Sequence, residues 1–187
     1  TSYFATAEPL KASCRVAEAH APSTVQAKVA GALSAGGCDP AQVAPAILDL
    51  LAGLPADDPF LRLEPAVRRQ RTLEAIKRVV LAAGGDRPLC LIVEDLHWID
   101  PASEAVLDAL VESVPASRML LLVNYRPEYH HRWGSKSYYW QLLIEPLSGE
   151  GAEQFVHALL GDDPGLRWLA ARLSQRTEGN PFFLEEC

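Results

Sequence analysis

The sequence lacks the features that mark secreted, membrane-spanning and disulfide-stabilised proteins. No apolar stretch reaches the roughly 20 residues that cross a bilayer, and no signal peptide is visible at the start of the chain. Its four cysteines, Cys14, Cys38, Cys90 and Cys187, contain no C-x-x-C pair and stand at no metal-ligand spacing from a histidine. This cysteine usage favours a reducing compartment. We therefore expect a cytoplasmic protein that has no membrane partner.

An excess of positive charge is also absent. The chain has 17 Lys and Arg against 24 Asp and Glu, which gives a net charge of −7 and a pI near 5.2. Nucleic-acid backbones are bound by basic surfaces, so we predict no direct nucleic-acid contact. The basic run Arg68-Arg69-Gln70-Arg71 has apolar residues around it at helical spacing, and we interpret it as a solvated helix face.

The composition that remains is that of a globular protein. Apolar residues make up 49% and charged residues 22% of 187 positions, enough for one α/β domain with a sizeable core. No methionine begins the chain, and its last residues read as the start of a helix that has no cap. We expect a fragment of a longer protein whose other domains are partners, and the sequence leaves a homo-oligomer open.

Helical patterns dominate the amino-terminal part. The segments 23–34 and 41–53 are plausible helices separated by Gly36-Gly37. A clearer apolar stripe predicts a helix over 65–83, which Gly84-Gly85 ends.

A strand–helix–strand unit follows. The apolar runs 89–93 and 119–123 predict parallel strands buried on both faces, with Cys90 as a buried thiol. Between them, Asp100-Pro101 favours a helix start because Asp caps well and Pro fits the first helical position. Residues 142–144 are predicted to form a third strand.

Beyond residue 147 only helices are predicted, starting at Ser148, at Asp163-Pro164 and at Asn180-Pro181. The fold class is therefore α/β followed by a helical region. We place the domain boundary so that 1–147 forms the α/β core and 148–187 begins a helical subdomain.

Two adjacent acids, Glu94 and Asp95, end the first predicted strand. Ligands of open α/β sheets bind beyond the carboxyl ends of the strands. Two adjacent carboxylates repel each other, and a bound hard cation such as Mg²⁺ would offset that repulsion. Adjacent strand residues point to opposite sides, so one carboxylate could face the metal and the other an attacking water. The alternative is a solvated strand end with helix-capping acids.

The segment 94–103, EDLHWIDPAS, resembles the Walker B segment of the STAND class of AAA-like ATPases. More narrowly, it is similar to the ATPase regions that follow class III adenylate/guanylate cyclase domains in large bacterial regulators, and the resemblance runs from about Asp57 to Glu186. It implies a partial P-loop NTPase-type parallel sheet with a helical lid. It also implies ATP or ADP with Mg²⁺, held by Glu94, while Asp95 polarises the hydrolytic water. Since the usual first acid is Asp, Glu94 leaves the division of roles open, and His97 is interpreted as a packing residue.

Two further motifs carry the resemblance. Arg126 follows the second strand at a position similar to sensor 1, where a residue reads the γ-phosphate. The alternative is an ion pair with Glu128 or a neighbouring acid in the loop. Gly179-Asn180-Pro181 resembles the G-x-P motif of the STAND lid, in which the Pro packs near the adenine. The alternative for this motif is a turn between helices followed by an apolar core anchor, Phe182-Phe183.

A phosphate-binding Walker A pattern, G-x-x-x-x-G-K-[ST], is missing from the 187 residues. Gly134-Ser135-Lys136-Ser137 resembles only its end, because Tyr129 occupies the position of the first glycine. The sequence thus predicts an ATP-binding, ATP-hydrolysing regulatory module that is incomplete in this chain. The alternative is a nucleotide-independent interaction scaffold, derived from such an ATPase, in a cyclase-type parent protein. Its aromatic loop over 125–140 would suit a partner interface or, equally, pack over the sheet edge.

Overall fold

The computed structural model contains a parallel pair of strands, β1 (Leu89–Val93) and β2 (Met119–Val123). The strands pair in register, from Leu89 opposite Met119 to Val93 opposite Val123. The structure describes residues 3–17, 19–84, 86–161 and 167–186. Both predicted strands and their parallel pairing are confirmed.

The chain divides into two compact units, Thr1–Tyr139 and Trp140–Cys187. This division falls ahead of the domain boundary placed at residue 147, which stays a prediction.

Among the described residues, five α-helices belong to the first unit. They are α1 (Phe4–Ser13), α2 (Pro22–Ala35), α3 (Pro40–Leu51), α4 (Pro65–Gly84) and α5 (Pro101–Val111). The predicted helices α2 to α5 are confirmed. Helix α1 is missed by the sequence patterns because its periodicity is weak and Pro9 lies inside it.

Aspartate caps begin two of these helices, and the cap at Asp100 was predicted. The Asp39 carboxylate accepts a hydrogen bond of 3.0 Å from the Ala41 amide. Asp100 caps α5 by accepting from the amides of Ala102 at 3.1 Å and Ser103 at 3.0 Å, and from the Ser103 hydroxyl at 2.6 Å. Each cap satisfies amide groups that have no partner within the helix.

The core of the first unit lies between the helices and one face of the sheet. Ile47 of α3, Ile76 of α4 and Val106 of α5 are all fully buried. Leu91 and Val93 of β1 are half-buried and pack against this core. The helices therefore hold the strand pair from one side.

The other face of the strand pair is exposed, which corrects the prediction of strands buried on both faces. We call this the exposed sheet face; its residues are Cys90, Ile92, Leu120 and Leu122. Ile92 is 58% and Leu120 is 61% exposed. Cys90 is thus an exposed thiol rather than the predicted buried one. The apolar run alone could not reveal this, because burial depends on what packs on each face.

In the part of the second unit that the structure describes, the helices are α6 (Gly149–Leu160), α7 (Arg167–Thr177) and α8 (Pro181–Glu186). The predicted starts at Ser148 and Asn180-Pro181 are confirmed, and Asp163-Pro164 lies outside the described residues. A small core of its own stabilises the unit, formed by Ala152, Val156 and Leu184 with Leu147, Phe155 and Leu173.

The predicted third strand is wrong. Residues 142–144 have no regular structure, and Leu142, Leu143 and Ile144 are 85%, 68% and 85% exposed. A strand requires a neighbouring strand to pair its backbone groups, and the sheet of the described residues consists of β1 and β2 only.

Within the described ranges, no helix combines the length and the apolar character that crossing a membrane requires.

Candidate functional site

The two adjacent acids lie at the carboxyl end of β1, where the sheet meets solvent. Glu94 and Asp95 are both exposed. The strand ends at Val93, and Asp95 has a left-handed backbone with φ 52° and ψ 45°. The expectation that strand alternation separates the two carboxylates is therefore wrong at Asp95, because the chain has already left the extended conformation there. The turn, rather than the strand, sets the direction of the second carboxylate.

Asn124 joins the end of β2 to this turn. Its side-chain Oδ1 accepts a hydrogen bond of 2.7 Å from the Asp95 amide. Its backbone carbonyl accepts from the Leu96 amide at 2.9 Å, and its own amide donates to the Val93 carbonyl at 3.2 Å. One residue therefore connects to three positions around the acid pair.

The patterns used for the sequence missed Asn124 as a site residue, although it directly follows the second strand. The available signal was its position. A polar side chain after β2 lies at the same sheet edge as acids after β1, because the strands are parallel and in register.

Arg126 is exposed two residues beyond Asn124. Among the described residues its guanidinium forms no ion pair with Glu128, so the alternative interpretation of an internal pair is not supported. A free guanidinium near a strand end can donate paired hydrogen bonds to phosphate oxygens. The structure thus places three of the predicted site residues, Glu94, Asp95 and Arg126, after the two strand ends.

His97 follows the acid pair in a short helical turn. Both of its ring nitrogens are buried, and neither has a hydrogen-bond partner within the described part of the chain. The imidazole lies against the indole of Trp98, with ring centroids 5.3 Å apart. These contacts agree with the packing role expected for His97.

The acid pair has the chemistry that Mg²⁺ prefers. Carboxylate oxygens are its usual protein ligands, and it keeps several waters rather than demanding a cage of protein groups. The described residues contain no cluster of three or more His, Cys, Asp or Glu that could enclose a metal. Glu94 and Asp95 therefore fit an ion that is held partly by water and phosphate oxygens, and they do not fit an enclosed structural metal.

The loop that follows the site, residues 125–139, packs its aromatic side chains inward; we call it the aromatic loop. Trp133 is buried, and its indole N–H donates to Asp108 Oδ1 at 2.6 Å. The Tyr129 hydroxyl donates to Glu104 Oε1 at 2.6 Å. Burial and the Glu104 carboxylate raise the pKa of Tyr129 well above its ordinary value. These bonds fasten the loop to α5 and disfavour a partner-binding role for its rings, whereas Trp140, the last aromatic residue of the predicted interface, is 92% exposed.

His131 lies at the centre of the aromatic loop. Its Nδ1 accepts a hydrogen bond of 3.2 Å from the Trp133 amide. Its Nε2 lies 2.9 Å from the Tyr125 hydroxyl and 3.1 Å from the Tyr139 hydroxyl. Burial lowers the pKa of His131; the Asp108 carboxylate opposes this shift and His130 adds to it. The neutral imidazole, protonated at Nε2, fits these partners because Nδ1 must remain an acceptor.

The Gly179-Asn180-Pro181 motif forms a tight turn in the second unit. Gly179 has φ +75°, and a Cβ there would collide with the Leu147 carbonyl oxygen. The Leu147 amide donates to the Gly179 carbonyl at 2.9 Å. Asn180 then caps α8, its Oδ1 accepting from the Phe182 amide at 3.0 Å, and Pro181 takes the first helical position. The predicted turn between helices is therefore confirmed, but Phe182 and Phe183 are 64% and 53% exposed and do not form the predicted core anchor, a place that Leu184 takes. An adenine contact stays a prediction.

Comparison with known proteins gives the affiliation. The family model described as AAA ATPase domain matches residues 4–123, more than half of the chain. The chain is also 26% identical over 133 residues to an uncharacterised protein of Rhizobium meliloti (strain 1021). That match covers 66% of this chain and 12% of the relative, so the chain spans only a small part of the relative's length. No solved structure matches the chain. The strand pair, the flanking helices and the family match agree, and the chain belongs to the AAA ATPase domain family.

Proposed function

We propose that this chain is the Mg²⁺-binding part of a regulatory nucleotide-binding ATPase module. One observation carries the proposal: the adjacent carboxylates of Glu94 and Asp95 follow a parallel strand, at the sheet edge where such folds bind their ligands. Family membership supports ATP or ADP with Mg²⁺ as the ligand.

The acids Glu94 and Asp95 and the base Arg126 would have different roles at the site. A Mg²⁺ ion, when bound with the nucleotide, neutralises phosphate charge. Glu94 and Asp95 would supply oxygen ligands, directly or through water, and Asp95 would orient the attacking water. Arg126 would donate to the terminal phosphate, since its exposed guanidinium has no acid partner among the described residues.

The Gly179-Asn180-Pro181 turn would sense the bound base from the helical region. Its geometry supports that role, because the positive φ of Gly179, its close approach to Leu147 and the cap of α8 place Pro181 at a defined helix start. A regulatory output would follow if nucleotide binding shifted the arrangement of the module.

The 187 residues contain no Walker A pattern, which supplies the backbone cradle and the lysine for the β- and γ-phosphates. We therefore expect weak or absent binding of Mg·ATP by the 187-residue chain. Isothermal titration calorimetry tests this expectation, and submicromolar affinity would contradict it.

The function itself is tested in the natural protein that carries this module. Glu94→Gln and Asp95→Asn should each lower ATP turnover by at least about tenfold, as expected for lost metal and water positioning. Asp57→Asn is the control, because Asp57 is an exposed acid in the turn between α3 and α4 and belongs to neither segment that follows a strand. Equal turnover in all four proteins would favour the scaffold alternative.

A further inference from the structure

The backbone of Asp95 is held in an unfavourable conformation. A left-handed backbone costs roughly 1–2 kcal/mol for a residue with a Cβ, although Asp tolerates it better than most. Asp95 has this conformation with φ 52°, next to an acid at a ligand-binding sheet edge. Strained residues persist where surrounding contacts determine them, so a holding contact is required.

Fixed points lie on both sides of Asp95. Val93 before it belongs to β1, and Leu96 after it is fully buried in the core of the first unit. The chain must therefore turn from the strand to the core anchor within two residues. In that turn the Asp95 amide leaves the strand ladder, so its hydrogen-bond partner must be either water or another group of the chain.

Asn124 supplies that acceptor. Its Oδ1 lies 2.7 Å from the Asp95 amide nitrogen, the shortest of the three bonds that it makes to this turn. The backbone bonds of Asn124 to Val93 and Leu96 fix the position of its Cα atom. Any residue type at position 124 could make these two bonds. Only the bond to Asp95 depends on residue type, because it requires an oxygen acceptor about this far from the backbone.

We propose that Asn124 is a positioning residue, which holds Asp95 in its left-handed conformation and thereby fixes the direction of the Asp95 carboxylate relative to Glu94. The assignment deepens, and in its consequence for turnover rests on, the proposed nucleotide function. Asn124 acts through Asp95 and needs no contact with the nucleotide itself.

The hydrogen bond is tested directly in the 187-residue chain by NMR. Asn124→Leu keeps the size of the side chain but removes the acceptor, whereas Asn124→Asp keeps an acceptor oxygen. We expect the Asp95 amide to exchange with solvent about tenfold faster in Asn124→Leu, and at the wild-type rate in Asn124→Asp. The exchange of the Leu96 amide, which bonds to the backbone of residue 124, should stay within about twofold and reports whether the turn remains folded. Because residue 124 is exposed, both variants should fold, and Asn124→Ala serves as a second acceptor-free variant.

Turnover in the natural protein gives the second readout. Asn124→Leu should lower kcat for ATP while leaving KM within about twofold, and Asn124→Asp should restore part of the loss. Unchanged Asp95 exchange in the acceptor-free variants would overturn the proposal. Faster exchange with unchanged turnover would also overturn it, provided that Asp95→Asn lowers turnover. If Glu94→Gln and Asp95→Asn leave turnover unchanged, the proposed function fails, and the exchange data alone decide whether Asn124 holds Asp95.

Discussion

The indole N–H of Trp133 donates a hydrogen bond of 2.6 Å to Asp108 Oδ1, which joins the buried ring of the aromatic loop to α5. Trp133 is only 4% exposed, so its N–H would have no solvent partner if that acceptor were lost. The bond therefore links the loop after β2 to the helix after β1.

Removing this acceptor should destabilise the first unit. Asp108→Ala leaves the indole N–H unsatisfied and should lower the free energy of unfolding by about 1–3 kcal/mol. Asp108→Asn keeps an oxygen acceptor and should cost less. Urea unfolding followed by far-UV circular dichroism measures both, with Asp57→Ala as an exposed control. Equal stability of the Ala and Asn variants would show that the bond contributes nothing.

Acid should loosen the aromatic loop through His131. Burial holds the pKa of His131 below its ordinary value, so the unfolded chain takes up a proton at a higher pH than the folded chain. The stability that the neutral ring contributes is complete above about pH 6.5, and it is lost as the pH falls below that value. Protonation at Nδ1 also removes the acceptor of the Trp133 amide.

Urea unfolding at pH 7.5, 6.5 and 5.5 checks this sign. The wild-type protein should lose stability across the series, and His131→Gln should lose less. His130→Gln, at an exposed neighbouring position, should keep most of the wild-type pH dependence, because His130 is the smallest of the causes that act on the pKa of His131. Identical pH dependence in the wild type and His131→Gln would rule out the assignment to His131.

Gly179 should tolerate no side chain. Gly179→Ala combines a strained positive φ with a collision against the Leu147 carbonyl, and it should cost at least about 2 kcal/mol in the second unit. Gly161→Ala is a matched control, because Gly161 has φ +80° but nothing within 4 Å of its added Cβ. Amide exchange at Ala152 and Val156, which belong to the small core of this unit, reports the difference. Similar exchange in both variants would mean that the Leu147 contact is unimportant.

The exposed sheet face predicts an asymmetry between two isoleucines. Ile76 is 0% exposed and Ile92 is 58% exposed, so the same truncation to Ala should have unequal costs. Ile76→Ala should lower the free energy of unfolding by about 2–5 kcal/mol. Ile92→Ala should cost less than about 1 kcal/mol, because much of its side chain is already in water. Comparable losses in the 187-residue chain would show that the face is covered.

The sequence predicts best where the cause is local. The Asp100-Pro101 helix start depends on neighbouring amides, and the apolar runs of β1 and β2 report strand formation directly. The same runs do not indicate what packs on each face of the sheet. For that reason the prediction that Cys90 is buried was wrong. The prediction of a strand over residues 142–144 was wrong for a related reason. A strand needs a neighbouring strand to pair with, and an apolar run does not show whether one is present.

The candidate site shows the same limit. The position of Glu94 and Asp95 after a strand identifies them as candidate site residues. The sequence does not predict the left-handed turn at Asp95. That turn depends on Asn124, which is 29 positions away in the chain. A contact between distant positions leaves no trace in local periodicity.

The cap of α5 also ties down the amino-terminal segment, because Asp100 Oδ1 accepts a hydrogen bond of 2.9 Å from the Tyr3 amide. Burial by itself raises the pKa of Asp100, but hydrogen bonds from Ser103, Tyr3 and Ala102 outweigh it and hold the pKa at about 2. A carboxylate with a lowered pKa gives its full contribution above its ordinary value of 3.8 and loses it as the pH falls towards 2. Mild acid that protonates His131 therefore leaves the bond between Tyr3 and Asp100 intact. On acid titration the aromatic loop should loosen first, and the segment at Tyr3 should detach from α5 only in strong acid.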